Sequence, residues 1–302
     1  MDNRDDIREF LTSRRERLTP AEAGLPDFGG RRRVKGLRRE EVALLAGMST
    51  EYYVRLERGN GTGVSESVLD GISRALKLDE AEHAHLYDLV RAANQGGHPA
   101  RRRGPSRPQQ VRPAVQQLID TMRDVPVYVQ NGRLDAVATN RLGAALFSEM
   151  FFMPQRPMNA ARFTFLDPRA QTFYRDWPGN ARQIVALRRA EAGRSPYDRV
   201  LTDLVGELAT RSDLFRTLWA SHDVRVHRTG TKQVHHPVVG DLDLTFEAMD
   251  LTSEPGLQLL AFTAAPGSPS SDGLQLLATW AATAQLESDR ADAAATDTAD
   301  RA

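Results

Sequence analysis

The sequence contains no cysteine, has only three lysines among its 40 basic residues, and lacks any long apolar run. Without cysteine there is no disulfide, no thiolate metal ligand and no cysteine nucleophile, which is typical of a reducing compartment. No window approaches the ~20 apolar residues that a membrane-spanning helix needs, and the charged start leads into no signal-peptide core. These absences predict a cytoplasmic protein without a membrane partner.

The length of the chain and the distribution of its charges indicate how its domains are organised. The chain has 302 residues, and domains of roughly 100–200 residues predict about two of them. The formal net charge is +0, yet residues 1–112 hold 21 basic and 17 acidic residues, so the remainder has an acidic excess. The basic excess is concentrated in the acid-free run 31–39, which includes Arg31, Arg32 and Arg33. This run predicts an anionic partner for the N-terminal part.

Apolar periodicity predicts five helices before residue 96, and these helices are expected to supply their own core. Ser49 is a good N-cap for a helix over Thr50–Arg58, and Asp79 with Glu82 resembles a capping box. A stretch rich in proline, glycine and arginine follows, and it predicts a linker. The predicted domains are 1–96, a linker at 97–113, a second domain at 114–286 and a disordered tail at 287–302.

The second half has a mixed helix and strand pattern. Asn131-Gly132 is expected to form a hairpin turn, because this dipeptide tolerates positive φ. Thr229-Gly230 and Gly240-Asp241 are expected to separate later strands. Helices are predicted at 140–149, 179–193, 197–210, 213–221 and 270–286, and further strands at 224–227, 232–237, 242–249 and 257–264. Together the halves predict an α+β protein, with a helical N-terminal domain and an antiparallel sheet in the second.

Residues 38–59 have the spacing of a helix-turn-helix. Ala43 is small where two helices must cross closely, Gly47 supplies the positive φ of the turn, and Tyr53 fixes the angle between the helices. The second helix is then free to enter a DNA major groove with Thr50, Glu51, Arg55 and Arg58 exposed. Apolar periodicity alone would also allow an ordinary helical hairpin. The motif and the preceding basic run favour DNA binding, and with it a nucleoid-associated protein.

Two sets of sequence segments resemble known protein families. Leu37-Arg-Arg-Glu-Glu-Val-Ala-Leu-Leu-Ala-Gly and Tyr52-Tyr-Val-Arg-Leu-Glu-Arg-Gly resemble the Xre/lambda-repressor-like regulators of actinobacteria. After the linker, Pro126-Val-Tyr-Val, Asn140-Arg-Leu-Gly-Ala-Ala-Leu-Phe and Leu218-Trp-Ala-Ser-His-Asp-Val resemble the MmyB-like ligand-binding domain. The resemblance implies a bacterial transcription regulator with a five-helix DNA-binding domain and a PAS-like C-terminal domain.

The resemblance also implies roles for individual residues. Arg39 falls where such repressors buttress the recognition helix and touch phosphate, and Arg58 falls beside the DNA backbone. The carboxylate of Glu51 is unfavourable near phosphates unless it accepts a hydrogen bond from a cytosine amino group or holds Arg55 in place. The i,i+4 spacing of Glu51 and Arg55 permits the second arrangement. The predicted DNA-binding residues are Arg31, Arg32, Arg33, Arg38, Arg39, Thr50, Glu51, Tyr52, Arg55 and Arg58.

A PAS-like sheet wraps a cavity, and the aromatic-rich second half predicts a pocket for a small apolar or amphipathic effector such as a fatty-acyl chain. The alternative is that side chains fill this cavity and the domain only mediates dimerisation. The candidate ligand-binding residues are Tyr128, Asn140, Phe147, Trp177, Trp219 and His222. No catalytic signature or metal-ligand pattern is present, so the sequence predicts no enzyme, cofactor or metal site. The predicted function is a homodimeric regulator of a palindromic double-stranded DNA operator. The alternative is a protein-interaction module with a helical docking domain.

Overall fold

The computed structural model describes residues 3–26, 34, 36–95, 110–224 and 229–283. Their helices are α1 (Asn3–Arg17), α2 (Arg39–Leu45), α3 (Thr50–Glu57), α4 (Glu66–Ala75), α5 (Glu80–Gln95), α6 (Pro113–Thr121), α7 (Arg141–Leu146), α8 (Ser148–Phe151), α9 (Ala160–Leu166), α10 (Arg169–Phe173), α11 (Trp177–Arg194), α12 (Arg199–Arg211), α13 (Asp213–Ala220) and α14 (269–283). The strands are β1 (Val127–Asn131), β2 (Ala136–Thr139), β3 (Thr229–His236), β4 (Gly240–Asp250) and β5 (Leu257–Thr263). None of these helices is both long and apolar enough to cross a membrane.

The chain forms two compact units that do not follow the order of the sequence. The first unit contains residues 1–105 and 185–226, and the second contains residues 106–184 and 227–302. The first unit therefore holds α1–α5 together with the end of α11, α12 and α13. The second unit holds the sheet with α6–α10, the start of α11, and α14.

The five predicted N-terminal helices are confirmed, and so are two of their caps. Ser49 Oγ accepts a hydrogen bond from the Tyr52 amide at 3.1 Å. The Asp79 amide donates to Glu82 Oε2 at 3.1 Å, and the Glu82 amide donates back to Asp79 Oδ1 at 2.8 Å. Both arrangements satisfy amide groups that would otherwise lack a partner at a helix start.

The expectation that these five helices supply their own core is confirmed for 15 of the 17 buried residues of the first unit's apolar cluster and wrong for the other two. Phe10, Tyr53 and Ile72 are buried in this cluster, which also contains Ala190 and Val224. Those two residues lie in the stretch 185–224, far along the chain from α1–α5. The core of the first unit is therefore completed by a distant part of the sequence, which local periodicity cannot reveal.

The second unit is built on a five-stranded antiparallel sheet of order β2-β1-β5-β4-β3. The predicted PAS-like α+β class is thus confirmed. β4 alternates buried and exposed residues, as expected for a sheet with one covered face, whereas every residue of β1 is buried. Val127 packs with Ile119 of α6, and the adjacent Tyr128 packs with Phe147.

The structure corrects the predicted turns and adds helices. The β1–β2 connection takes its positive φ at Leu134 (64°) instead of Gly132, because the Asn131 side chain accepts from the Arg133 and Asp135 amides. Residues 229–230 begin β3 and residues 240–241 begin β4, so neither pair is a turn, and the turn between these strands lies at 237–239. The helices α6, α9 and α10 were not predicted, and the strand predicted at 224–227 falls largely on residues outside the described part of the chain.

Candidate functional sites

The helix-turn-helix is formed by α2, a tight turn and α3. Gly47 has a φ of 69°, in the left-handed region. The Met48 amide donates to the Ala43 carbonyl at 3.0 Å, and the Gly47 amide donates to the Leu44 carbonyl at 3.2 Å. These two bonds close the end of α2 and need a residue that adopts positive φ at low cost. The predicted role of Gly47 is confirmed.

A buried carboxylate fixes α3 to the rest of the unit. Glu57, at 2% exposure, accepts from Arg15 Nε at 2.6 Å and also from Arg39 Nε. Arg15 further donates to the Leu37 carbonyl at 3.0 Å. The hydrogen bond to Glu57 raises the pKa of Arg39 above its usual value. Glu57 therefore holds α3 against α1 and α2.

Sequence reasoning did not find the role of Glu57. The available signal was its position, one turn after the buried Tyr53 and beside the buried Leu56. A carboxylate on the apolar face of a helix is rarely buried unless it is paired. Its partners are supplied by two other helices, so this position alone does not identify them.

The outer face of α3 is polar and open. Thr50, Glu51, Arg55 and Arg58 are exposed, and with Val54 and Asn60 they line an open concavity of about 470 Å³. The guanidinium of Arg55 lies 4.9 Å from the centre of the Tyr52 ring. Within the described residues, Arg55 forms no ion pair with Glu51. The arginine is thus positioned by an aromatic ring on its own helix.

Further predicted DNA contacts surround α3. Arg38 and Arg39 precede or begin α2, and their side chains are 45% and 53% exposed. The Arg38 amide donates to Glu41 Oε2 at 2.7 Å, and its guanidinium lies 3.5 Å from Glu40. Arg31, Arg32 and Arg33 lie outside the described residues. The described arginines leave guanidinium groups accessible to an anionic partner.

In the second unit, two of the candidate ligand residues belong to a buried aromatic cluster. The ring of Tyr128 lies 5.2 Å from that of Phe147 and 5.8 Å from that of Phe262, and Phe147 lies 5.9 Å from Phe173. Burial raises the pKa of Tyr128, so its phenol stays neutral at ordinary pH. These rings pack against one another in the interior of the second unit, with the hydroxyl group of Tyr128 among them.

Asn140 and Trp177 use their polar groups within the fold. Asn140 Oδ1 accepts from the Val127 and Gly143 amides at 3.0 and 2.7 Å. Its Nδ2 donates to the carbonyls of Met122 and Val125 at 2.8 and 2.7 Å. Trp177 Nε1 donates to the Thr164 carbonyl at 2.9 Å. The Asn140 side-chain amide thus caps α7 and links this helix to the segment that precedes β1.

A polar group that sequence reasoning missed lies near Trp177. Lys232 Nζ donates to Asn180 Oδ1 at 2.6 Å, and Asn180 Nδ2 donates to the Thr164 hydroxyl at 3.1 Å. The ammonium group lies 5.4 Å from the ring centre of Tyr174 and 5.8 Å from that of Phe246. Burial lowers the pKa of Lys232 to about 8. In the part of the chain that the structure describes, this ammonium forms no ion pair.

Trp219 and His222 belong to the first unit and not to the aromatic cluster. The Trp219 ring stacks on Phe215 and lies 4.1 Å below the guanidinium of Arg189. His222 Nε2 lies 3.0 Å from Glu9 Oε2. The structure therefore separates the six predicted ligand residues into two groups.

Two family comparisons match the chain. Residues 111–277 match the family described as the MmyB-like transcription regulator ligand binding domain. Residues 6–86 match the family described as a helix-turn-helix domain. No curated protein matches the chain. The first match spans more than half of the chain and the second includes all of α2 and α3.

Proposed function

The chain belongs to the MmyB-like transcription regulators, and we propose that it binds a palindromic DNA operator as a homodimer and responds to a small amphipathic effector. Its helix-turn-helix and ligand-binding domains support a DNA-binding transcription regulator. The proposal adds to this the homodimer, the symmetry of the operator and the chemical class of the effector.

One observation carries the DNA-binding part: α3 has an exposed polar face, while its inner face is fixed by Glu57. A recognition helix needs both properties, because it must present side chains to base edges in a fixed orientation. We assign base contacts to Thr50, Glu51 and Arg55. We assign phosphate contacts to the arginines at positions 31–33, 38, 39 and 58.

The number of recognition helices supports the proposal of a homodimer. One chain supplies a single α3, which reads one half-site in the major groove. Helix-turn-helix dimers bind two half-sites about one helical turn apart, and their two-fold symmetry makes the operator palindromic.

The effector proposal rests on the second unit. The rings of Tyr128 and Phe147 lie in an apolar aromatic cluster, and Trp177 lies beside the Thr164–Asn180–Lys232 chain of hydrogen bonds. The Lys232 ammonium is half-buried and donates to a neutral amide oxygen, so an anionic ligand group would stabilise its charge. An amphipathic acid, such as one with a fatty-acyl chain, supplies both parts.

Selection of binding sites from random double-stranded DNA tests the function. The full chain should enrich one motif with two-fold symmetry, and Arg55→Ala should enrich it less strongly, with the preference lost at one base pair of each half-site. Arg211→Ala is the matched control, because Arg211 is 53% exposed on α12 and pairs with Glu207 at 3.1 Å. If the wild-type chain enriches no motif, the DNA-binding proposal fails and the protein-interaction alternative gains support. A motif without symmetry would refute the palindromic operator.

A further inference from the structure

The face of the DNA-binding unit formed by α1 and α5 is covered by the chain's own residues 185–224. Arg14 of α1 is 2% exposed, and its guanidinium donates to the His222 carbonyl. Arg14 Nε also lies 3.1 Å from Glu82 of α5. His222 has a φ of 55°, which is uncommon for a residue with a side chain. Residues 185–224 thus contact the buried Arg14 through a residue in the left-handed backbone conformation, His222.

A second set of contacts comes from the end of α11. Arg189 lies 3.8 Å from Asp6 of α1, and it donates to the Trp219 carbonyl. Its guanidinium also covers the ring of Trp219. Both Arg189 and Trp219 belong to the segment, so one arginine organises the segment and joins it to α1.

The packing beneath these polar contacts is close. His85 of α5 is buried and contacts Phe10 edge to face, with ring centres 5.2 Å apart. A Cβ atom added at Gly193 would lie 2.6 Å from the His85 ring. Ala190 and Val224 are buried in the same apolar cluster as α1 and α5. The segment therefore fits this face as part of a packed core.

Adjacent arginines on α1 connect this contact to DNA recognition. Arg14 binds the docked segment, whereas Arg15 binds Glu57 of α3 at 2.6 Å. A shift of α1 therefore acts on the carboxylate that holds the recognition helix. Residues 185–224 also lie inside the stretch 111–277 that matches the ligand-binding family.

We infer that the α1–α5 face is an interaction surface for residues 185–224, and that this docking sets the DNA affinity of α3 through Arg14 and Arg15. The inference rests on the DNA-binding function proposed above. An effector changes DNA affinity only if it binds the docked and displaced states with different affinities. In this inference the docked and displaced arrangements of the segment are the two states on which such a difference acts.

The full chain with Arg189→Met tests the inference, with Arg194→Met as the matched control. Arg194 lies on the same helix, is 57% exposed and pairs with Glu191 at 3.2 Å. We expect Arg189→Met to increase amide hydrogen exchange in α13, α1 and α3, while β4 and β5 keep wild-type protection. Its DNA affinity should fall about 5–150-fold, the usual range of allosteric coupling. Arg194→Met should match the wild type in both measurements.

Each result supports or overturns either the docking of the segment or its coupling to α3. Wild-type exchange in α1 would overturn the docking role of Arg189. Increased exchange in α1 with wild-type DNA affinity would overturn the coupling to α3. If Arg189→Met does not fold, Gly193→Ala, which presses on His85, is judged by the same two measurements. If the wild-type chain binds no DNA, the proposed function fails, and the exchange data still decide whether the segment docks.

Discussion

Replacing Glu57 with glutamine should destabilise the first unit by about 3 kcal/mol. Glutamine keeps the shape of the side chain but removes its charge, so the largely buried Arg15 loses its counter-ion. Removal of one partner from a buried ion pair costs about 3–5 kcal/mol. We expect the lower end, because glutamine keeps one carbonyl acceptor and Arg39 is half exposed to water.

The free energy of unfolding is measured by urea denaturation, and the melting temperature by calorimetry. For a unit of this size, ~3 kcal/mol corresponds to a decrease in melting temperature of roughly 6–12 °C. Glu51→Gln is the control, because Glu51 is exposed on the same helix and its replacement should change stability by less than about 0.5 kcal/mol. If Glu57→Gln is as stable as this control, Glu57 does not hold α3.

Three further predictions test other parts of the molecule. Arg55→Ala should lower the preference for operator over random DNA, by ~1–3 kcal/mol at one base pair, whereas Arg33→Ala should weaken binding to both DNAs similarly; equal losses on both DNAs for Arg55→Ala would contradict the assignment. Burial lowers the pKa of His85 to about 3, so the unfolded chain binds the extra proton first and stability should fall as pH drops from 6.5 towards 3, by at most about 1.4 kcal/mol per pH unit. Denaturation at several pH values should show a smaller pH dependence in His85→Gln, and an unchanged dependence would refute this role. Lys232→Met should weaken binding of a fatty acid about tenfold, by ~1.4 kcal/mol, but not binding of its methyl ester; calorimetric titration with Lys77→Met as the control measures this, and equal losses for acid and ester would count against an ionic contact.

The elements that sequence reasoning located correctly depend on local signals. Gly47 and Ser49 mark the turn and the start of α3 within a few residues of the helices they join. The apolar spacing around Tyr53 places the inner face of α3 for the same reason. These signals need no knowledge of distant parts of the chain, so the helix-turn-helix could be predicted with its caps.

The features that sequence reasoning missed depend on contacts between distant residues. Arg15 and Glu57 are 42 positions apart, and Arg14 and His222 are 208 positions apart. Neither pair follows a helical or strand period, so no local pattern indicates it. The predicted position of the β1–β2 turn was wrong for a different reason. The Asn131 side chain accepts hydrogen bonds from two amides of the turn, and the positive φ lies at Leu134 instead of Gly132.

The salt dependence of DNA affinity tests the central claim most directly. Arg38, Arg39 and Arg58 from two chains would give at least six phosphate contacts, and each contact releases counterions. Titration of the selected operator with the full chain at ~50 and ~200 mM salt should therefore show a loss of affinity of about 10³-fold or more. A change of less than about tenfold would contradict recognition of DNA by this surface.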